Sequence, residues 1–333
     1  MNSYGTIFLV RFHSKIYQCP QQVLVVGSCE KGLRMPARDF TDQQLDKYCL
    51  IRQLGQSSTS EVYLGKHPQF HVPVAIKVLR GRFARRDLEK FLAQARVLAH
   101  LEHPHIVRVL DFGIEGSRPF LVMNYAPNGT LRQRHPRGIR LPLETIVFYV
   151  KQIASALQYV HDHKLIHRDI KPHNILLGPY DEILLSDFGI AVTSHSIDTN
   201  LPGMPDFEGT VLYAAPEQLQ GKPRRSSDQY ALGVVVYEWL SAELPFSGSF
   251  YEVTRQHLFD LPPSLRQEKG VDIAPAIEEV MLKALAKDPR ERFDNVWEFA
   301  EALAWASKVA QDPRPHVKVR RQFMSPFPFA LKA

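Results

Sequence analysis

The period of the hydrophobic pattern changes along this 333-residue chain, and the change constrains the fold more than any other feature of the sequence. Over residues 48–123 the apolar side chains fall in short runs rich in β-branched residues, which are typical of strands, with one helical stretch at residues 87–101. After the turn signal Pro127-Asn128-Gly129 they repeat mainly at helical spacing. This order predicts an α+β fold in which a small antiparallel β-sheet lobe with one helix precedes a larger, mainly helical lobe.

The expected elements define a folded region between two flanks. We expect strands at residues 48–51, 62–64, 72–79, 106–110 and 120–123, and long helices at residues 143–163, 228–240, 277–286 and 296–310. The chain is therefore divided into a weakly structured N-terminal leader at 1–47, a folded domain at 48–307 and a basic C-terminal tail at 308–333.

Charge and cysteine content narrow the classes of function. Of the formal charge of +6, residues 1–40 carry +3, residues 311–333 carry +4, and the 270 residues between them carry −1. Because a nucleic-acid groove needs its positive charge in the folded body, we expect no nucleic-acid partner. No apolar run approaches the roughly 18 residues that span a bilayer, so no transmembrane segment is expected. The chain has 3 cysteines, too few for a disulfide framework, which favours a cytoplasmic location.

Two polar segments carry the chemistry. Residues 167–174 read His-Arg-Asp-Ile-Lys-Pro-His-Asn, and Asp187-Phe188-Gly189 begins 18 residues after Asp169. In this order and spacing the segments resemble the catalytic-loop and metal-loop signatures of protein kinases. The folded region is most similar to the bacterial Ser/Thr kinases of eukaryotic type. The resemblance implies the bilobal protein-kinase fold and transfer of the γ-phosphoryl group of ATP to Ser and Thr hydroxyls of protein substrates.

The resemblance also assigns roles within the two segments. Asn174 and Asp187 would be the metal ligands, since hard Mg²⁺ prefers the oxygen atoms of a carboxylate and an amide. Asp169 would orient the substrate hydroxyl and accept its proton. Lys171, a residue typical of Ser/Thr-specific members, would reach the transferring phosphate.

Further positions are expected to bind ATP. By the same resemblance Lys77, which ends the run Val74-Ala75-Ile76-Lys77, binds the α and β phosphates. Met123 would be the gatekeeper before the adenine-binding segment. The remaining nucleotide-binding positions implied are Gly55, Val62, Ala75 and Leu176 around the phosphates and the ring, and the backbone groups of Asn124 and Ala126.

Two departures from the family pattern affect nucleotide positioning. The loop that should read G-x-G-x-x-G has only Gly55, with Ser57 and Ser60 at the other two positions. If these serines adopt the positive φ that glycine tolerates, each costs on the order of 1 kcal/mol, and ATP binds more weakly. Gln94 stands where a glutamate should pair with Lys77, and a neutral partner makes a weaker bond.

The resemblance places an activation segment between Asp187 and Glu217. Residues 190–208 would be its mobile part, with Thr193, Ser194, Ser196 and Thr199 as candidate phosphorylation sites, and a transient homodimer would serve autophosphorylation.

The altered loop and Gln94 motivate an alternative, a nucleotide-binding pseudokinase that acts as a signalling scaffold. A small-molecule phosphotransferase is disfavoured by Thr210 and Ala215-Pro216-Glu217, which in the family shape a protein-substrate groove.

Overall fold

A six-stranded antiparallel sheet forms the first part of the computed structural model, which describes residues 44–188 and 211–311. The strands are β1 (Gln44–Leu45), β2 (Tyr48–Gln56), β3 (Ser60–Lys66), β4 (Pro73–Leu79), β5 (Val109–Glu115) and β6 (Arg118–Asn124). Their order in the sheet is β1-β2-β3-β4-β6-β5. All described residues belong to one compact unit.

The two faces of β4 contribute to different clusters. Val74, Ile76 and Val78 pack in one core with residues of β2, β3 and β6. Leu79 packs in another with Phe91 of helix α1 (Arg85–Ala99). Because side chains alternate along a strand, Ala75 and Lys77 face the same side as Leu79.

The second part of the structure is mainly helical. Its helices are α2 (Leu131–Arg134), α3 (Leu143–Asp162), α4 (Pro216–Leu219), α5 (Arg225–Ser241), α6 (Phe250–Phe259), α7 (Pro275–Ala284) and α8 (Val296–Gln311). Helix α5 is buried at every residue from Ser227 to Ser241, so the other helices pack around it. A hairpin of β7 (Ile175–Leu177) and β8 (Ile183–Leu185) lies between α3 and α4 in the chain.

The structure confirms the fold class and corrects several boundaries. The sheet begins at Gln44, inside the predicted leader, because the buried Leu45 pairs with Tyr48. The strand expected at 106–110 lies at Val109–Glu115 instead. Helix α6 was not predicted, and α8 continues past the predicted domain end at 307 to Gln311. No helix among residues 44–188 and 211–311 is long and apolar enough to cross a membrane.

Candidate active site

A buried carboxylate fixes the loop that follows α3. Asp228, in the first turn of α5, accepts hydrogen bonds from the backbone N–H groups of His167 at 2.9 Å and Arg168 at 2.8 Å. The His161 Nε2 atom lies 2.7 Å from the same carboxylate. Arg168 has a φ of 69°, an uncommon conformation that these bonds hold in place.

The loop brings three of the predicted catalytic and metal-binding side chains into contact. Asn174 donates from Nδ2 to the Asp169 carbonyl at 2.8 Å and to Asp169 Oδ2 at 2.7 Å. The Lys171 ammonium lies 3.0 Å from the same Oδ2 atom. Because the Asn174 nitrogen is held by Asp169, its amide oxygen is the group left to bind a cation.

Ser186, the residue after β8, joins this loop to Asp187. Its backbone N–H and its hydroxyl both donate to the Asn174 carbonyl at 2.9 Å. The fully buried His167 makes a 2.9 Å contact from Nε2 to the Ser186 carbonyl, so Nε2 must carry the proton. Burial lowers the pKa of His167, which keeps the ring neutral. The metal-loop and catalytic-loop segments are thus positioned by shared hydrogen bonds.

Lys77 reaches the site from β4. Its Nζ atom is 2.6 Å from Asp187 Oδ1. Burial alone would raise the pKa of the Asp187 carboxyl. The charge and the hydrogen bond of Lys77 lower it by more, so the net pKa lies below the usual value for aspartate. Asp187 is therefore ionised at neutral pH. Its φ of 59° is another uncommon backbone conformation at this site.

The strands and the β7 hairpin place the predicted ring-binding residues. Ala75 is paired with Met123, and Val62 with Lys77. Leu176 lies in β7, which is held to the segment after β6 by a bridge between Leu176 and Thr130. The three residues predicted to enclose the adenine ring, Val62, Ala75 and Leu176, are all partly buried.

The backbone at the end of β6 carries the two residues predicted to bind adenine, Asn124 and Ala126. The Asn124 N–H donates to the Arg108 carbonyl at 3.0 Å, so its own carbonyl is the group that could accept from an adenine amino group. Ala126, two residues on, is buried with 9% of its surface exposed.

The serine loop differs from the expectation. None of residues 57–60 has a positive φ, so the predicted backbone strain is wrong. Gly55 also has a negative φ, and a side chain there would meet nothing within 4 Å. The loop closes by another means: Ser57 Oγ accepts from the N–H groups of Ser60 at 3.0 Å and Thr59 at 3.2 Å.

Gln94 does not make the expected contact. Lys77 donates to Asp187, whereas the buried Gln94 Oε1 atom has no hydrogen-bond partner within residues 44–188 and 211–311. The position at which protein kinases usually have a glutamate therefore carries an amide oxygen without a hydrogen-bond donor among the described residues.

The end of the activation segment is anchored by a buried ion pair. Arg292 donates from Nη1 and Nη2 to the two Glu217 oxygens, each at 2.8 Å, a pairing that the resemblance to protein kinases implies. Ser227 also donates to Glu217 at 2.7 Å. Residues 190–208, with the four candidate phosphorylation sites, and Thr210 lie outside the described residues.

A second buried ionic group was missed in the sequence. Arg132 donates to both Glu238 oxygens at 2.7 and 2.8 Å, and the Tyr213 hydroxyl donates to Glu238 at 2.7 Å. The Arg132 N–H bonds to the Pro172 carbonyl, which connects the group to the catalytic loop. The available signal was Glu238 itself, a charge inside the most apolar run of the chain.

Comparison with known proteins agrees with this geometry. The chain matches the family model described as protein kinase domain over residues 48–304. It is 37% identical over 280 residues to serine/threonine-protein kinase PknF of Mycobacterium tuberculosis, covering 80% of this chain and 57% of the relative. It is 34% identical over 253 residues to serine/threonine-protein kinase PrkC of Bacillus subtilis, covering 75% and 39%. The chain spans about half the length of the curated relatives it matches.

Proposed function

Because this chain belongs to the protein kinase family, we propose that it is an ATP-dependent protein Ser/Thr kinase. The observation that carries the proposal is the convergence of two acidic side chains and two ammonium groups. Lys171 and Asn174 both contact Asp169 on one loop, and Asp187 on the next loop contacts Lys77 of β4. Such a site can position a triphosphate and a hydroxyl together.

Asp169 is proposed to act on the substrate hydroxyl. The serine or threonine proton passes to the carboxylate as the hydroxyl oxygen bonds to the γ-phosphorus, and the bond from that phosphorus to the ADP oxygen breaks. The Lys171 ammonium, 3.0 Å from Asp169 Oδ2, would stabilise charge on the phosphoryl group. The Asn174 hydrogen bonds hold the Asp169 carboxylate in one orientation.

Lys77, Asn174 and Asp187 would hold the nucleotide. An ammonium group has three donors, so Lys77 can bond to phosphate oxygens while it keeps Asp187. The oxygen donors of Asn174 and Asp187 fit Mg²⁺, which would neutralise triphosphate charge when bound. We further propose nucleotide contacts from Gly55 in β2, Val62 in β3, Ala75 in β4, Leu176 in β7, and the backbone of Asn124 and Ala126.

We propose proteins with accessible serine or threonine as substrates, and autophosphorylation through a transient homodimer. The low cysteine content supports the prediction of a cytoplasmic location. No nucleic-acid partner is expected, because the positive charge lies in the flanks of the chain.

Transfer of labelled γ-phosphate to a protein substrate such as casein tests the activity. Asp169→Asn should reduce kcat by about 10² to 10⁴. Asp181→Asn is the matched control, because Asp181 is exposed, pairs with Arg134, and has a φ of 60° that asparagine tolerates. Nucleotide binding by the wild type, with equal background transfer in the wild type and Asp169→Asn, would instead support the pseudokinase alternative.

A further inference from the structure

The hydroxyl of Ser57 occupies the backbone donors of the loop that precedes β3. Ser57 Oγ accepts from the Ser60 N–H at 3.0 Å and from the Thr59 N–H at 3.2 Å. The Ser60 hydroxyl lies 3.1 Å from the same atom. One side-chain oxygen therefore satisfies two N–H groups that a glycine at position 57 would leave open.

The loop lies beside the strand that carries Lys77. In the pairing of β3 with β4, Ser60 is opposite Leu79 and Val62 is opposite Lys77. Loop N–H groups in this position can approach the phosphates that Lys77 is proposed to bind. An N–H group that already donates to a hydroxyl must break that bond before it can donate to phosphate.

We propose that Ser57 is a positioning residue whose hydroxyl competes with the nucleotide phosphates for the N–H groups of Thr59 and Ser60. The inference rests on the proposed function, since it assumes that ATP binds at this site. Ser57 then limits ATP affinity because its hydroxyl already accepts from the N–H groups that would bind phosphate. This cause differs from the backbone strain that the sequence led us to expect.

The turn does not depend on the hydroxyl alone. The Ser57 N–H donates to the Ser60 carbonyl at 2.8 Å, and the Arg80 N–H donates to the Thr59 carbonyl at 2.8 Å. Both bonds use backbone atoms and remain available when Ser57 is replaced. Ser57→Ala should therefore free the two donors while the loop keeps its path.

Calorimetric titration of the full chain with ATP and with adenosine tests the role of Ser57. We expect Ser57→Ala and Ser57→Gly to bind ATP roughly three- to tenfold more tightly than the wild type, the effect of about one net hydrogen bond. Adenosine has no phosphate, so its Kd should stay within about twofold. Ser57→Thr keeps the hydroxyl and should have the wild-type ATP affinity, and Ser58→Ala should give no tightening.

The outcomes separate the inference from the proposed function. Equal ATP affinity in the wild type and both hydroxyl-free variants, or a parallel change for ATP and adenosine, would overturn the role of Ser57 and leave the kinase proposal standing. Failure of the folded wild type and variants to bind any ATP would contradict both. Circular dichroism of each variant checks that the fold is retained.

Discussion

Placing a carboxylate at position 94 of α1 should raise the rate of the proposed phosphoryl transfer. Gln94 Oε1 is buried without a hydrogen-bond partner in the described part of the chain, and Lys77 has its bond to Asp187 at 2.6 Å. Gln94→Glu keeps the length of the side chain and changes the neutral acceptor to a charged one. Lys77 would then have an acceptor on the helix as well as on the metal loop, and the arrangement with α1 close to β4 would be favoured.

The size of the effect follows from the two competing terms. A hydrogen bond to a charged group contributes about 1.5–3 kcal/mol net, whereas Gln94 now contributes none through Oε1. Placing a carboxylate in a partly buried position offsets part of that gain. A remainder of about 1 to 2 kcal/mol, if it acts wholly on the active arrangement, corresponds to a turnover about tenfold higher.

Steady-state phosphate transfer at saturating ATP measures this prediction. Gln158→Glu is a matched control: its Oε1 atom is also buried without a partner among residues 44–188 and 211–311, but Gln158 lies on α3 and its amide nitrogen donates to Asp162. The control should show no increase. An unchanged kcat in folded Gln94→Glu would mean that a carboxylate at this position does not limit the active arrangement.

Three further predictions concern stability. Arg292→Met should lower the free energy of unfolding by about 3–5 kcal/mol, because it leaves the buried Glu217 carboxylate unpaired; denaturant unfolding that shows less than about 1 kcal/mol would contradict this. Burial, and then the charge of Lys287, lower the pKa of His257 to about 3. As the pH falls below about 6.5, the unfolded state therefore binds a proton at His257 that the folded state does not bind. Wild type should therefore lose about 1.4 kcal/mol per pH unit relative to His257→Gln between about pH 6 and 4, and parallel curves would refute it. Since Lys77 depresses the pKa of Asp187, Lys77→Met should be less stable than the wild type at neutral pH, with a gap below about 1 kcal/mol that closes in acid; a gap that widens in acid would contradict the ion pair.

The sequence predicted the elements whose apolar pattern is regular. Helix α3 begins at Leu143 as expected, because most of its apolar residues face the core, although Phe148 is 58% exposed. Helix α6 was missed because it buries only Val253 and His257, while Phe259 is 72% exposed, so its apolar residues do not form one face. At residues 106–110 an apolar run exists, but Ile106 is bridged to Leu185 of β8 instead of pairing within the sheet.

Side-chain contacts within the site were predictable only where a motif fixes them. The pairing of Arg292 with Glu217 follows from the family pattern and is present. The conformation of the serine loop did not follow from that pattern, because serine supplies its own acceptor. Ser57 closes the turn with a negative φ by accepting a hydrogen bond through its side-chain oxygen, which glycine lacks.

The departures from the family pattern lie on one side of the site. Asp169, Asn174 and Asp187 are held in the large lobe by Asp228 and by the Ser186 bonds to Asn174. The altered positions lie on β3 (Ser60), in the loop between β2 and β3 (Ser57) and on α1 (Gln94). The proposed chemistry needs the first group, and the second group is proposed to set nucleotide affinity and helix position. The sequence changes should therefore alter ATP binding and the population of the active state more than the phosphoryl-transfer step itself.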